Sequence, residues 1–205
     1  MPELARADYD KLVDDIVAAL GPVAAAVPAP ALASAIESTL LRPDATAADI
    51  ERLCTEAAAM EVAAVCVNPL WIGRAAACLR GTPVLAVAAV GFPLGADGAA
   101  LKLAAAAECL KLGADELDVV MNLGAIRAGE AAAARAELAA IVACARDAGA
   151  RVKAIVELPL LGPDLGLRAA AAALAAGADF LKTATGFSSP RPAPPEALVA
   201  LRTLT

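Results

Sequence analysis

Gly113-Ala114-Asp115-Glu116-Leu117-Asp118-Val119-Val120-Met121 sets a pattern that recurs along the chain. It follows an alanine-rich segment, and a glycine there suits the left-handed backbone position that ends a helix. The run Leu117 to Met121 then reads as a strand buried on both faces, interrupted by one carboxylate. The same punctuation returns as Gly149-Ala150 before Val152 to Val156, and as Gly177-Ala178-Asp179 before Phe180-Leu181. These glycines stand 36 and 28 residues apart, about one strand-plus-helix unit each.

Working outward, the pattern predicts further strands at Ser34–Leu41, Ala63–Asn68 and Val84–Phe92. Helices are expected at Ala47–Met60, Leu70–Leu79, Ala99–Leu112, Glu130–Asp147, Pro163–Ala176 and Pro195–Leu204, after an opening helix over Glu3–Leu20. Asp44-Ala45-Thr46-Ala47-Ala48-Asp49 supplies an N-cap for the first of the six. Six strands alternating with helices make an α/β chain with a parallel sheet, read as a single domain over residues 1–205. Right-handed crossovers leave an open doubly wound sheet or a barrel. The first strand is not followed by GxGxxG, and the sequence holds no Walker A motif, so the barrel is favoured.

Composition narrows the chemistry. Lys and Arg are scattered and the net charge is −6, which argues against a nucleic-acid footprint but leaves room for a small phosphorylated ligand. The chain has no His, and its five cysteines show no CxxC spacing. The usual zinc sites and Ser-His-Asp or Cys-His machinery are therefore excluded. Dispersed cysteines in apolar runs fit reduced thiols, so a cytoplasmic protein is expected. The start, Met1-Pro2-Glu3-Leu4-Ala5-Arg6, lacks the pattern of a signal peptide. The uncharged run from Ile16 to Ile36 is broken by Gly21, Pro22, Pro28 and Pro30, so no membrane partner is expected.

In a parallel barrel the chemistry sits at the C-terminal ends of the strands. The polar residues there are Glu37, Ser38, Thr39, Cys66, Asn68, Asp118, Asn122, Lys153, Glu157, Lys182, Thr183 and Thr185. Lys182 lies beside Phe180 and Leu181, where desolvation and neighbouring cations are expected to lower its pKa and free the amine for attack on a carbonyl. A lysine that snorkels to the rim and binds a counter-ion is the competing reading. Asp118, flanked by Val119 and Val120, needs a partner, with Lys153 and Lys182 the candidates. It either moves protons or forms a buried structural pair. Gly186 could present backbone N–H groups to a phosphate, whereas Gly91-Phe92-Pro93-Leu94-Gly95 reads as an ordinary loop.

Taken together, several segments resemble the deoxyribose-phosphate aldolase family, a class of imine-forming aldolases. They are Ile36-Glu37-Ser38-Thr39-Leu40-Leu41-Arg42-Pro43-Asp44-Ala45-Thr46, Val65-Cys66-Val67-Asn68-Pro69, Gly91-Phe92-Pro93-Leu94-Gly95-Ala96, the Gly113–Ala125 stretch, Val152-Lys153-Ala154-Ile155-Val156-Glu157 and Gly177–Phe187. All six occur in the family's order. The resemblance implies a TIM (β/α)8 barrel that needs no metal or other cofactor. It implies reversible cleavage of 2-deoxy-D-ribose 5-phosphate to D-glyceraldehyde 3-phosphate and acetaldehyde. By motif, Lys182 would form the imine, Asp118 would move protons through a water, and Lys153 would share their charged network. Gly186, Thr185, Thr39, Cys66 and Asn122 would line the substrate site. A homodimer is compatible with this reading.

The chain departs from the family pattern in four places. Ser188-Ser189-Pro190-Arg191-Pro192 stands where a Ser-Thr-Gly-Gly-like loop is usual, and Glu37-Ser38-Thr39 replaces Asp/Glu-His-Thr. Lys102 is followed by Leu103-Ala104-Ala105, without the acid usual three residues on. About six of the eight βα units are accounted for by Thr205, so a C-terminally truncated barrel is expected, lacking a second active-site lysine and a phosphate loop. Two alternatives to the aldolase therefore stand beside it. One is a non-catalytic remnant that binds phosphosugar or a partner; the other is a lysine-dependent barrel aldolase with a different donor.

Overall fold

The computed structural model describes residues 32–188 and Leu201. The expected helices Glu3–Leu20 and, Leu201 apart, Pro195–Leu204 lie outside the described residues, as do Ser189 to Pro192. Strand β1 (Glu37–Leu40) leads to helix α1 (Ala47–Met60), β2 (Ala64–Val67), α2 (Ile72–Cys78), β3 (Leu85–Val90) and α3 (Ala99–Lys111). Then follow β4 (Glu116–Val120), α4 (Leu123–Arg127), α5 (Ala131–Asp147), β5 (Arg151–Ile155), α6 (Leu158–Ala176) and β6 (Phe180–Lys182).

Local chemistry explains most boundaries. Thr46 and Asp49 form a reciprocal capping box, each satisfying the other's backbone N–H, so α1 starts where the sequence predicts. The expected helix Leu70–Leu79 is divided, because Pro69 opens a 3-10 turn over Pro69–Trp71 before α2 begins. Helix α4 escaped the sequence reading; it exists because the Asn122 side chain accepts the Ala125 N–H at 3.0 Å. Helix α6 starts five residues before the expected Pro163 and is broken at Gly162, whose backbone is extended at positive φ. Although α6 is long and apolar enough to cross a membrane, it carries that break, and Ala169, Ala170 and Ala173 are fully buried in the core.

The six strands form one parallel sheet in sequential order, each paired with the next. A doubly wound sheet reverses its order at a switch point, and this one does not. Nor is it flat. Laid flat, β1 and β6 would stand roughly 24 Å apart at the usual strand spacing. Yet Lys182 Nζ lies 2.8 Å from Glu37 Oε2, so the sheet curls as a barrel wall does.

Register follows from the pleat. Outward residues such as Val65, Ala88, Leu117, Val119, Val152 and Ala154 pack under the helices in the larger core. The inward positions on β2 and β3 are small and apolar (Ala64, Cys66, Val87, Ala89). Those on β1, β4, β5 and β6 carry Glu37, Glu116, Asp118, Arg151, Lys153 and Lys182. The interior is therefore half hydrocarbon and half charge.

The repeated Gly-Ala-Asp has a physical role that its sequence did not disclose. Gly113 and Gly177 end their helices at positive φ, as expected. The aspartate that follows then clamps the start of the neighbouring strand. Ala86 donates its N–H to the Asp115 carboxylate at 2.8 Å and its carbonyl accepts the Asp115 N–H, also at 2.8 Å. Asp179 brackets Val152 in the same way, at 2.8 and 2.9 Å.

Lys102 has not lost its acid. Its fully buried ammonium donates to Glu137 on α5 at 2.6 Å and to the Val120 carbonyl at 3.0 Å. The partner comes from another helix rather than from the next turn, which helix-local spacing cannot show. The supposedly ordinary loop also fits tightly here. A Cβ on Gly91 would come within 2.9 Å of Lys102 Cε, and one on Gly95 would collide with the Met121 carbonyl.

Two measurements test this framework. Glu137→Ala leaves the Lys102 ammonium buried and unpaired, so denaturant unfolding should show a loss of about 3 kcal/mol or more. Thr46→Ala removes one half of an exposed cap and should cost about 1 kcal/mol in the same assay.

Candidate active site

At the C-terminal half of the curled sheet, Asp118 on β4 faces Lys153 on β5, its register partner. Asp118 Oδ1 accepts from Lys153 Nζ at 3.2 Å, and Oδ2 accepts from Lys182 Nζ in a short contact. Glu37 spans the same two amines, with Oε1 at 3.2 Å from Lys153 and Oε2 at 2.8 Å from Lys182. Below this square, Glu116 contacts both Lys153 and Arg151. Two carboxylates thus hold two ammoniums in one ring, with a second layer beneath it.

The two lysines are not equivalent. Lys153 touches Glu37, Glu116 and Asp118, and its side chain is 17% exposed. Among the described residues Lys182 pairs with Glu37 and Asp118, and its side chain is 31% exposed. A ligand arriving at the C-terminal ends of the strands reaches Lys182 more readily.

Protonation differs from the expectation read off the sequence. Burial pulls the Lys182 ammonium toward neutrality, but the attraction of Asp118 and Glu37 outweighs it and raises the pKa above the ordinary lysine value. The expected lowering by desolvation and a neighbouring cation fails because the nearest charges are negative. Lys153 is raised for the same reasons, against its burial. For Glu37, burial favours the neutral acid, yet Lys153 and Lys182 prevail and lower its pKa. Asp118 moves the other way, since burial there exceeds the pull of Lys153 and Lys182. Of the two acids, Asp118 is the readier to take a proton.

Cys66 completes the floor, its Sγ 3.9 Å from Asp118 Oδ2. Burial first, and then the charges of Asp118 and Glu37, raise its thiol pKa well above the usual range. It is a buried, protonated thiol rather than a nucleophile. Glu37, Cys66 and Asp118 offer ligand atoms close enough to hold a cation. The carboxylate oxygens, however, already face two ammoniums, which repel a cation.

The other expected substrate residues fall in different places. Thr39 is inward on β1, level with Cys66, and exposed. Thr185 and Gly186 lie just beyond Lys182, in a turn where the Thr185 hydroxyl accepts the Phe187 N–H at 3.1 Å. Asn122 is drawn away from the ring. Its Oδ1 caps α4 and its Nδ2 reaches toward Glu137 Oε2 at 3.4 Å, so both ends of the amide are engaged. From the sequence Glu37 is a strand-end polar residue with no assigned place in the site, and Glu116 is not among the strand-end residues. The signal was period-2 alternation: Glu116 lies two residues before Asp118, on the same face of the strand.

Known proteins share both the sequence and the shape. The sequence pattern of the DeoC/LacD family aldolases matches residues 33–198. A deoxyribose-phosphate aldolase of Lysinibacillus sphaericus is 42% identical over 154 residues, which are 75% of this chain and 69% of that one. A crystal structure from Coccidioides immitis, provisionally assigned as a deoxyribose-phosphate aldolase, superposes with a TM-score of 0.82 at 30% identity. It covers 100% of this chain and 83% of its own. The tetrameric deoxyribose phosphate aldolase of Aeropyrum pernix superposes with a TM-score of 0.72 at 32% identity, over 91% of this chain and 74% of that one. A sequential parallel sheet curled around paired lysines and carboxylates fits what these relatives are, and the chain belongs to the DeoC/LacD family of aldolases.

Proposed function

We propose that this chain is a deoxyribose-phosphate aldolase, a lyase that cleaves 2-deoxy-D-ribose 5-phosphate reversibly to D-glyceraldehyde 3-phosphate and acetaldehyde through an imine on Lys182. The observation that carries the reading is the placement of the more exposed amine, Lys182, between Asp118 and Glu37. Residues 1–205 are read as one aldolase-type barrel domain acting in the cytoplasm as a homodimer on a small phosphorylated sugar. Free, dispersed cysteines support the location.

The chemistry follows from proton positions. At rest Lys182 is an ammonium and cannot attack. When the open-chain aldehyde displaces its ion pairs, the proton passes to Asp118, whose buried carboxylate accepts it at least cost. The freed amine adds to C1, and Asp118 returns the proton to the departing hydroxyl, so that water leaves and a protonated imine remains. A base, Asp118 directly or through a water, removes the proton of the C3 hydroxyl. The C2–C3 bond then breaks, its electron pair moves into the imine, and glyceraldehyde 3-phosphate departs. The enamine is protonated at C2, and hydrolysis releases acetaldehyde and restores the amine. Lys153 stays an ammonium throughout and offsets the negative charge of Asp118 and Glu37 while Lys182 is neutral. Thr39, Cys66, Thr185 and Gly186 are assigned to the substrate wall, and Asn122 to its support through α4.

Two experiments test the reading. Acetaldehyde with borohydride should leave an ethyl group on the Lys182 peptide and none on the Lys153 peptide, by mass spectrometry; a chain that takes up no adduct at Lys182 is not this enzyme. The second uses pH. Lys182 has its pKa raised above the ordinary 10.5, so its free-amine fraction grows with rising pH through 10.5 and beyond it. Asp118→Asn removes a charge that holds the proton. It should move the pH midpoint for Lys182 ethylation down by about one unit or more, while turnover falls on the order of 100-fold. An unchanged midpoint would show that Asp118 does not hold Lys182 protonated.

A further inference from the structure

We infer that Glu157 is a positioning residue for the turn that follows Lys182, and through that turn for the phosphate end of the substrate. The inference rests on the aldolase reading above. Glu157 combines three unfavourable features. Its backbone is left-handed, with φ 46° and ψ 52°. Its side chain is completely buried. One carboxylate oxygen, Oε1, has no hydrogen-bond partner among the described residues. A left-handed glutamate and an unsatisfied buried oxygen are each disfavoured. They persist together only where the surrounding structure fixes them, and such residues gather at functional sites.

The fixing bonds are specific. Val156 donates its N–H to the Lys182 carbonyl at 3.0 Å, and Leu158 donates to the Thr183 carbonyl at 2.8 Å. Between these two, Glu157 Oε2 accepts the Thr185 N–H at 3.1 Å. The exit of β5 is thereby stitched to the chain leaving β6 at three successive residues. Thr185 passes the constraint on, because its hydroxyl accepts the N–H groups of Phe187 at 3.1 Å and Ser188 at 3.4 Å. Gly186 lies inside this frame, exposed and at φ 78°. In the aldolase reading it presents backbone to the phosphate. Glu157 is too deeply buried to bind the phosphate itself. Its effect is to hold Thr185 so that the neighbouring backbone is already oriented when the ligand arrives.

The test uses the full chain with two substitutions of similar volume. Glu157→Met removes both acceptors, whereas Glu157→Gln keeps one for the Thr185 N–H. Retro-aldol kinetics should give Glu157→Met a KM for 2-deoxyribose 5-phosphate about tenfold higher, the loss of one hydrogen bond, with kcat within about threefold. The KM for unphosphorylated 2-deoxyribose should not move, and Glu157→Gln should behave as native. Hydrogen exchange without substrate should be faster over residues 183–188 in Glu157→Met alone, with β1–β5 unchanged. If the Met variant loses protection everywhere, Glu157→Asp, whose shorter carboxylate falls short of the Thr185 N–H, should show the same KM split. Equal effects on both sugars, or native exchange over residues 183–188 in Glu157→Met, would overturn the inference. A native chain that cleaves neither sugar would sink the aldolase reading alone, and the exchange result would still decide the role of Glu157.

Discussion

Glu37 and Lys182 stand on the first and last of six strands, and their side chains meet at 2.8 Å. That contact is possible only in a sheet that curls, and the curl carries Glu37 across to the charged groups that the pleat turns inward on β4, β5 and β6. Burying an isolated carboxylate or ammonium is costly. In the ring of two acids and two lysines each is paired at least twice: Lys153 with three acids, Lys182 with two, and Glu37 and Asp118 with both lysines. The apolar half of the interior, on β2 and β3, has no such requirement and is packed with small side chains. Curvature and charge pairing therefore support each other: Asp118 and Lys153 pair across adjacent strands, and the bend adds Glu37 to both lysines.

Different devices hold the two ends of the strands. Near their starts, Asp115 and Asp179 clamp neighbouring backbone and set register. Near their ends, the buried Lys102–Glu137 pair reaches the Val120 carbonyl, two residues beyond Asp118. That brace fixes the height of Asp118 in the ring without touching it. The arrangement matches the general division of parallel barrels, with stability at one face and chemistry at the other.

Much of this was legible in the sequence because it is local. Capping glycines and apolar runs located the strands, and Lys182, Asp118 and Lys153 meet as expected. Helix α1 was bounded correctly because its cap lies within four consecutive residues. What stayed hidden depends on partners distant in the chain. Glu37 lies 145 residues from Lys182, and Glu137 lies 35 from Lys102. The sign of the Lys182 pKa shift was misjudged for the same reason. Composition shows burial, but only the folded ring shows that two carboxylates outweigh it. Asn122 looked like a ligand group at a strand end, and its use as a helix cap depended on a short helix that apolar periodicity did not reveal.

The protonated state of Lys182 has a consequence beyond mechanism. Cells contain many reactive carbonyl compounds, and an exposed neutral amine would collect them as adducts. An ammonium held by Asp118 and Glu37 has no lone pair to offer. Only a molecule that fits well enough to break those ion pairs releases the amine. In the proposed imine chemistry the ion pairs act as a chemical safety catch, making selectivity among aldehydes a question of what deprotonates the lysine rather than what reaches it.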